Sequence, residues 1–174
     1  MMMKYGKAFL LTFLFYTVLG CGYHLAGTGS SLPQHIQTIG VPVFTNNTQG
    51  YQVEQKITSE VTSLLIQRGK YKVVPQDKDV DALLSGTITS VSLLPAQVDS
   101  SGRATQYNVI ITAKVTFKDM IDKKILFTNP GFTFRQQYNF DPNAVAYFNT
   151  QSGAVDKIAK DFADAVVSAI LEGF

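Results

Sequence analysis

Apolar positions along the chain recur at two different spacings, and the switches between them divide it into elements. From Gln52 to Arg68, Val53, Ile57, Val61, Leu64 and Leu65 form one stripe at helical spacing, with Gln55, Ser59, Glu60 and Ser63 off it. Arg68 and Lys70 suit the negative end of that helix, and Gly69 suits its cap. The clearest helical pattern runs from Gln151 to Leu171. Val155, Ile158, Ala159, Phe162, Val166, Ala169 and Ile170 make its apolar face, and Asp156, Lys157, Lys160, Asp161 and Asp164 mark its wet side. Neither helix is apolar all round, so each has one face to bury.

Between and before the helices the period is nearer two. Ile36 to Phe44 reads as a strand in which Pro42 removes one ladder donor, implying an edge position or a strand whose last part leaves the sheet. Thr45 to Gly50 is turn material. Tyr71 to Val74 is a short strand stopped by Pro75, and Asp77 to Asp81 is a charged turn or a single helical turn. Ala82 to Leu94 reads as a strand with Gly86 as a bulge candidate. After the Asp99-Ser100-Ser101-Gly102-Arg103 turn, Gln106 to Lys118 alternates, with Val109, Ile111, Ala113, Val115 and Phe117 on one face, Asn108, Thr112, Thr116 and Lys118 on the other, and Ile110 as the exception. Asp122-Lys123-Lys124 turns the chain into a strand from Ile125 to Phe134, interrupted at Asn129-Pro130-Gly131 by a bulge or short loop. Arg135 to Asn149 reads as a polar, aromatic loop or the approach to the last helix. Strands joined by short turns imply an antiparallel meander. Together the patterns predict an α+β fold, a two-layer sandwich with two helices on one face of a roughly four-stranded mixed or antiparallel sheet. No repeat of fixed period is visible.

The amino end has a different character. Met1 to Lys7 is short and positive, and Ala8 to Leu19 is a charge-free apolar run of 12 residues. That length matches the apolar region of a secretory signal and falls short of the roughly 20 residues of a spanning helix. It ends in Val18-Leu19-Gly20-Cys21, and Cys21 is the single cysteine of the chain. This is similar to the lipobox of bacterial lipoproteins, which implies cleavage after residue 20 and acylation of Cys21. Gly22, with no acidic residue there, is by the same resemblance the outer-membrane sorting pattern. Residues 1–20 are therefore expected to be a cleaved signal, 21–34 a lipidated tether rich in glycine and serine, and 35–174 one domain.

Composition sharpens this. The 174 residues carry a formal charge of +2, but Lys4 and Lys7 lie in the expected signal, and the remainder holds 13 basic and 13 acidic residues. A neutral balance gives no support to a nucleic-acid partner. His24, His35 and Cys21 are too few for a built metal centre or a nucleophile–base pair, and both histidines read as surface or tether residues. Asp79 and Asp81 fit a solvated turn, and no phosphate-cradling glycine motif is present. No catalytic residue, cofactor or metal ligand is assigned, and the expectation is a binding or structural role. The contact candidates are basic and aromatic: Arg103, Lys123 and Lys124 on two turns, for the phosphates of an anionic lipid or sugar, and Tyr138, Phe140, Tyr147 and Phe148, either a partner surface or a cover for one end of the core. The two turns lie at opposite ends of one strand, so their charges need not form one patch.

The run from Cys21 to Thr48, with Gly22-Tyr23, Leu25, Leu32-Pro33 and the strand Ile39-x-Val41-Pro42-x-Phe44-x-Asn46-x-Thr48, resembles the opening of the LptE family of lipopolysaccharide-assembly lipoproteins. Glu54, Ile57 and Thr58 in the following helix extend the likeness. The resemblance implies two helices on a four-stranded sheet, no enzymatic activity, and attachment to the periplasmic side of the outer membrane. It also implies a large LptD-like β-barrel as partner, which the protein plugs and helps assemble, and lipopolysaccharide as a contacted ligand, with Arg103, Lys123 and Lys124 as contact residues. Two other classes remain open: a lipoprotein adaptor of another envelope machine, for secretion-pore assembly or cell-wall synthase activation, and an envelope enzyme.

Overall fold

The computed structural model describes residues 32–50, 52–69, 71–139 and 153–172. Strands are β1 (Thr38–Gly40), β2 (Thr45–Asn46), β3 (Lys72–Val74), β4 (Ala82–Val98), β5 (Ala104–Asp119) and β6 (Ile125–Asn139); helices are α1 (Val53–Gly69) and α2 (Gly153–Leu171). The sheet runs β3-β1-β4-β5-β6, with β2 paired to β4 beside this path. β1 is parallel to both β3 and β4, and α1 crosses between β1 and β3 as a parallel connection requires. β4, β5 and β6 form the expected antiparallel meander.

The α+β sandwich stands, but the sheet has six strands where roughly four were expected. The reason lies in Ile36 to Phe44. β1 stops at Gly40, Pro42 has no N–H for a ladder, and the chain rejoins the sheet only at Thr45. One expected strand thus becomes two short ones, and the short strand expected at Tyr71 to Val74 joins the same sheet as β3. What holds the break in place is packing. Val41 and Phe44 are buried, and the Phe44 N–H donates to Thr58 Oγ1 of α1 at 3.0 Å. Asn46 then ties the turn together: its Nδ2 donates to Gly50 O and to Glu54 Oε2, both at 2.8 Å, while its Oδ1 accepts from Thr48. The motif residues Ile39, Val41, Phe44, Asn46 and Thr48 therefore all have structural work in this corner.

The bulge expected at Gly86 sits at Thr89 instead, where Ile88 faces Ala113 and Ser90 faces Thr112. This extra residue moves the covered face from Leu84 and Ile88 to Val91 and Leu93, which explains the three-residue step between Ile88 and Val91. Gly86 has another purpose, since a Cβ there would lie 2.2 Å from the Phe44 ring. The interruption at Pro130-Gly131 is a bulge within β6. β6 also continues past Phe134 to Asn139, so the beginning of the expected loop is strand. Among residues 77–81 no helical turn forms.

Both helices cover one face of the sheet. The α1 stripe is buried as expected, with Thr58 added, and α2 buries Ile158, Ala159, Phe162, Ala163, Val166, Val167, Ile170 and Leu171. Phe162 meets Phe132 and Phe134 of β6 edge to face, at centroid distances of 5.7 and 6.0 Å. Ion pairs stitch the helices to each other: Lys56 to Asp156 near their starts, and Arg68 to Asp164 at 2.7 Å further along. Those pairs show that the helices run in the same direction. Arg68 also donates to Ser168 Oγ at 2.7 Å.

Candidate contact surfaces

The β4–β5 turn is built around Asp99. Its Oδ1 accepts the N–H groups of Ser101 and Arg103 at 2.8 and 2.9 Å, its backbone pairs with Arg103 O, and Gly102 takes a positive φ of 77°. The hydrogen bond from the Arg103 N–H, followed by those of Ser101 and the Arg103 side chain, outweighs burial and lowers the Asp99 pKa. Arg103 Nε lies 3.0 Å from Asp99 Oδ2, which aims a side chain that is 65% exposed.

The β5–β6 turn is built around Asp119, a carboxylate only 1% exposed. Its Oδ1 accepts the N–H groups of Ile121 and Asp122, both at 2.9 Å, and its Oδ2 lies 2.6 Å from His35 Nε2. Burial pushes the carboxyl up, but hydrogen bonds from the Asp122 N–H, His35 and the Ile121 N–H, with the attraction of His35, hold it below its ordinary value. Lys123, at φ 57°, and Lys124 stand exposed on this turn. β5 is 16 residues long, so at roughly 3.3 Å per residue Arg103 and the two lysines are about 50 Å apart. They make two separate cationic tips.

His35 is half-exposed and pairs across 84 positions of sequence with Asp119. Beside it, Asp81 Oδ2 accepts the N–H groups of Gln37 and Thr38 at 3.0 and 2.7 Å. The segment leading into β1 is thus clamped at the same end of the sheet as Lys123 and Lys124. His35, Asp119 and Asp122 offer three ligand atoms within 4.8 Å of one another, but both Asp119 oxygens already serve the turn and the clamp. Sequence reading missed this pair because nothing local links a histidine near a tether to a strand-end aspartate.

Tyr138 is 8% exposed on the helix-covered face. Its hydroxyl donates to Asp161 Oδ2 at 2.9 Å, and Lys157 lies 5.4 Å over its ring while pairing with the same carboxylate. Burial, then the hydrogen bond and charge of Asp161, raise its pKa. This geometry leaves little of Tyr138 for a partner; it covers one end of the core. Cys21, His24, Lys70, Phe140, Tyr147 and Phe148 lie outside the described residues.

The profile of the family described as LptE, lipopolysaccharide-assembly, matches residues 36–170. The chain belongs to the LptE family. Membership makes it a non-enzymatic outer-membrane lipoprotein on the periplasmic side, concerned with lipopolysaccharide-translocon assembly, with an LptD-like β-barrel and lipopolysaccharide as partners. The adaptor and enzyme readings are set aside. No described helix is long and apolar enough to cross a membrane. No curated protein sequence matches the chain. Among solved structures, the PelC dodecamer from Paraburkholderia phytofirmans shares 13% identity over 84% of this LptE chain and 95% of its own, with a TM-score of 0.53. The protein CT253 from Chlamydia trachomatis shares 8% over 79% and 96%, with a TM-score of 0.52. At these identities the likeness is one of fold.

Proposed function

We propose that the domain spanning 35–174 occupies the lumen of the partner β-barrel as a plug, held to the membrane by acyl chains on Cys21 and reaching its place through the tether 21–34. The LptE profile across residues 36–170 carries this reading. Acyl chains contribute about 0.8 kcal/mol per buried CH₂, and two or more of them hold a folded domain at a bilayer. Lumen walls of outer-membrane barrels are polar, and a domain with a neutral overall balance and a polar exterior suits that surroundings.

Two cationic tips about 50 Å apart, on the 16-residue span of β5, divide lipopolysaccharide contact between separate stations, Arg103 at one and Lys123 with Lys124 at the other. The test has two arms. Affinity purification of the wild-type lipoprotein from detergent-extracted outer membranes is expected to recover the barrel, and Cys21→Ser to abolish membrane attachment. In lipopolysaccharide binding by the complex, Arg103→Ala and the Lys123→Ala/Lys124→Ala pair are each expected to weaken binding severalfold. Wild-type lipoprotein recovered without any barrel overturns the plug; unchanged binding in both variants overturns the stations.

A further inference from the structure

The face of the sheet opposite the helices is charged differently from the rest of the domain. On β5 the residues alternating with the buried set are Asn108, Ile110, Thr112, Lys114, Thr116 and Lys118. On β6, the partner of Ile110 on this face is Arg135, and those of Thr112 and Thr116 are Thr133 and Thr128. β4 contributes Ser85 and Thr87 opposite Thr116 and Lys114. No acidic residue lies on this face of β4, β5 or β6; the only acid within the three strands is Asp119, which is buried on the other side.

The two sides also differ in how their charges are spent. Over the helices, Lys56, Arg68 and Lys157 each have a carboxylate partner within the domain, and of the described helix cations only Lys160 has none among the described residues. Among the described residues, Lys114, Lys118 and Arg135 have none. Their spacing is also informative. Lys118 and Lys114 are four residues apart, and Arg135 stands opposite Ile110, four residues further, so at about 3.3 Å per residue the cations form a line with steps of roughly 13 Å. Three single charges so far apart do not converge on one phosphate. Short hydroxyl side chains fill the intervals, and among the described residues of β4, β5 and β6 no aromatic ring lies on this face to stack on a sugar. Such a surface allows another array of strands to approach closely along its length.

We infer that this open face, through Lys118, Lys114 and Arg135, is the surface that docks on the inner wall of the partner β-barrel, against carboxylates of the wall strands. The inference rests on the plug reading and names the surface that reading leaves open. It assigns lipopolysaccharide to the turn tips and protein to the strands between them. Charge complementarity favours this occupant, because a polar lumen wall can supply spaced acids where the described face supplies spaced bases without acids beside them.

The experiment uses the full lipoprotein co-expressed with its barrel. Lys114→Glu, Lys118→Glu and Arg135→Glu together are expected to lower the complex recovered by affinity purification at least tenfold, whereas Lys160→Glu on the solvent side of α2 leaves it unchanged. Thermal unfolding of the variant domain checks that it remains folded. In an otherwise wild-type chain, a photo-crosslinking residue at Thr116 is expected to capture the barrel, and one at Lys160 to capture it far less. Wild-type recovery by the triple variant, or Thr116 crosslinks to lipopolysaccharide instead of protein, overturns the docking face while leaving the plug intact. Absence of any barrel with the wild-type chain overturns both.

Discussion

On β5, odd-numbered residues from Tyr107 to Asp119 are buried on the covered side of the sheet, while their even-numbered neighbours from Asn108 to Lys118 line the open face. One strand therefore supplies two surfaces with opposite physical demands. The covered side is apolar and interdigitated, with Val109, Ile111, Ala113, Val115 and Phe117 at or below 1% exposure. Its polar exceptions are fully engaged, as Asp119 and Thr58 show. The open side has hydroxyls that touch weakly across strands, such as Thr112 and Thr133 at 3.5 Å, and cations with no carboxylate partner among the described residues. Stability is concentrated on the first side, and the proposed docking on the second.

The sharpest way to break this contrast is at the centre of the covered side. Phe162→Ala removes a ring with 0% exposure that packs against Phe132 and Phe134. A loss of about 3–5 kcal/mol is expected, read from the urea midpoint of the soluble domain. A loss under 1 kcal/mol would mean that α2 is not anchored on the sheet as described.

Next comes the polar exception at the rim. Asp119→Asn weakens the His35 clamp and the cap on Ile121 and Asp122, at an expected loss of about 1–3 kcal/mol near neutral pH. Its pH dependence has a definite sign. Because the folded carboxyl lies below the ordinary value of 3.8, its contribution is present above that value and is lost as pH falls through the lower, folded one. The gap between wild type and variant is therefore expected to close in acid, in denaturation curves taken between neutral pH and pH about 3. A gap that widens toward acid would contradict the clamp.

The smallest effect is expected on the open side. Thr112→Ala with Thr133→Ala removes only their marginal contact and is expected to change stability by no more than about 0.5 kcal/mol, measured in the same urea series. A large loss would show that the open face is also needed to hold the domain together.

Legibility in the sequence followed the same division. β5 was readable almost to the residue because a strand covered on one side alternates, with Ile110 alone out of pattern, and both helices were readable from their stripes. β6 beyond Phe134 was not, because Arg135, Gln136 and Gln137 lie on an edge strand where exposure weakens the alternation. The bulge at Thr89 was present in the sequence as a three-residue step between Ile88 and Val91, but Gly86 drew the assignment. Its true role required the Phe44 ring, 42 positions away, to be seen against it. Arg103, Lys123 and Lys124 were correctly placed on turns, whereas the unpaired line of Lys114, Lys118 and Arg135 depended on the register of β5 with β6.

By itself, then, the sequence determined the local elements, the apolar faces, the signal-like amino end and the family, since each is written in neighbouring residues through periodicity, turn chemistry or a contiguous motif. Tertiary structure alone decided the six-strand order, the His35–Asp119 clamp, the burial of Tyr138 and the separation of paired from unpaired charges. These depend on which distant residues are brought within a few ångströms, and hydrogen bonding and charge pairing act only over that range.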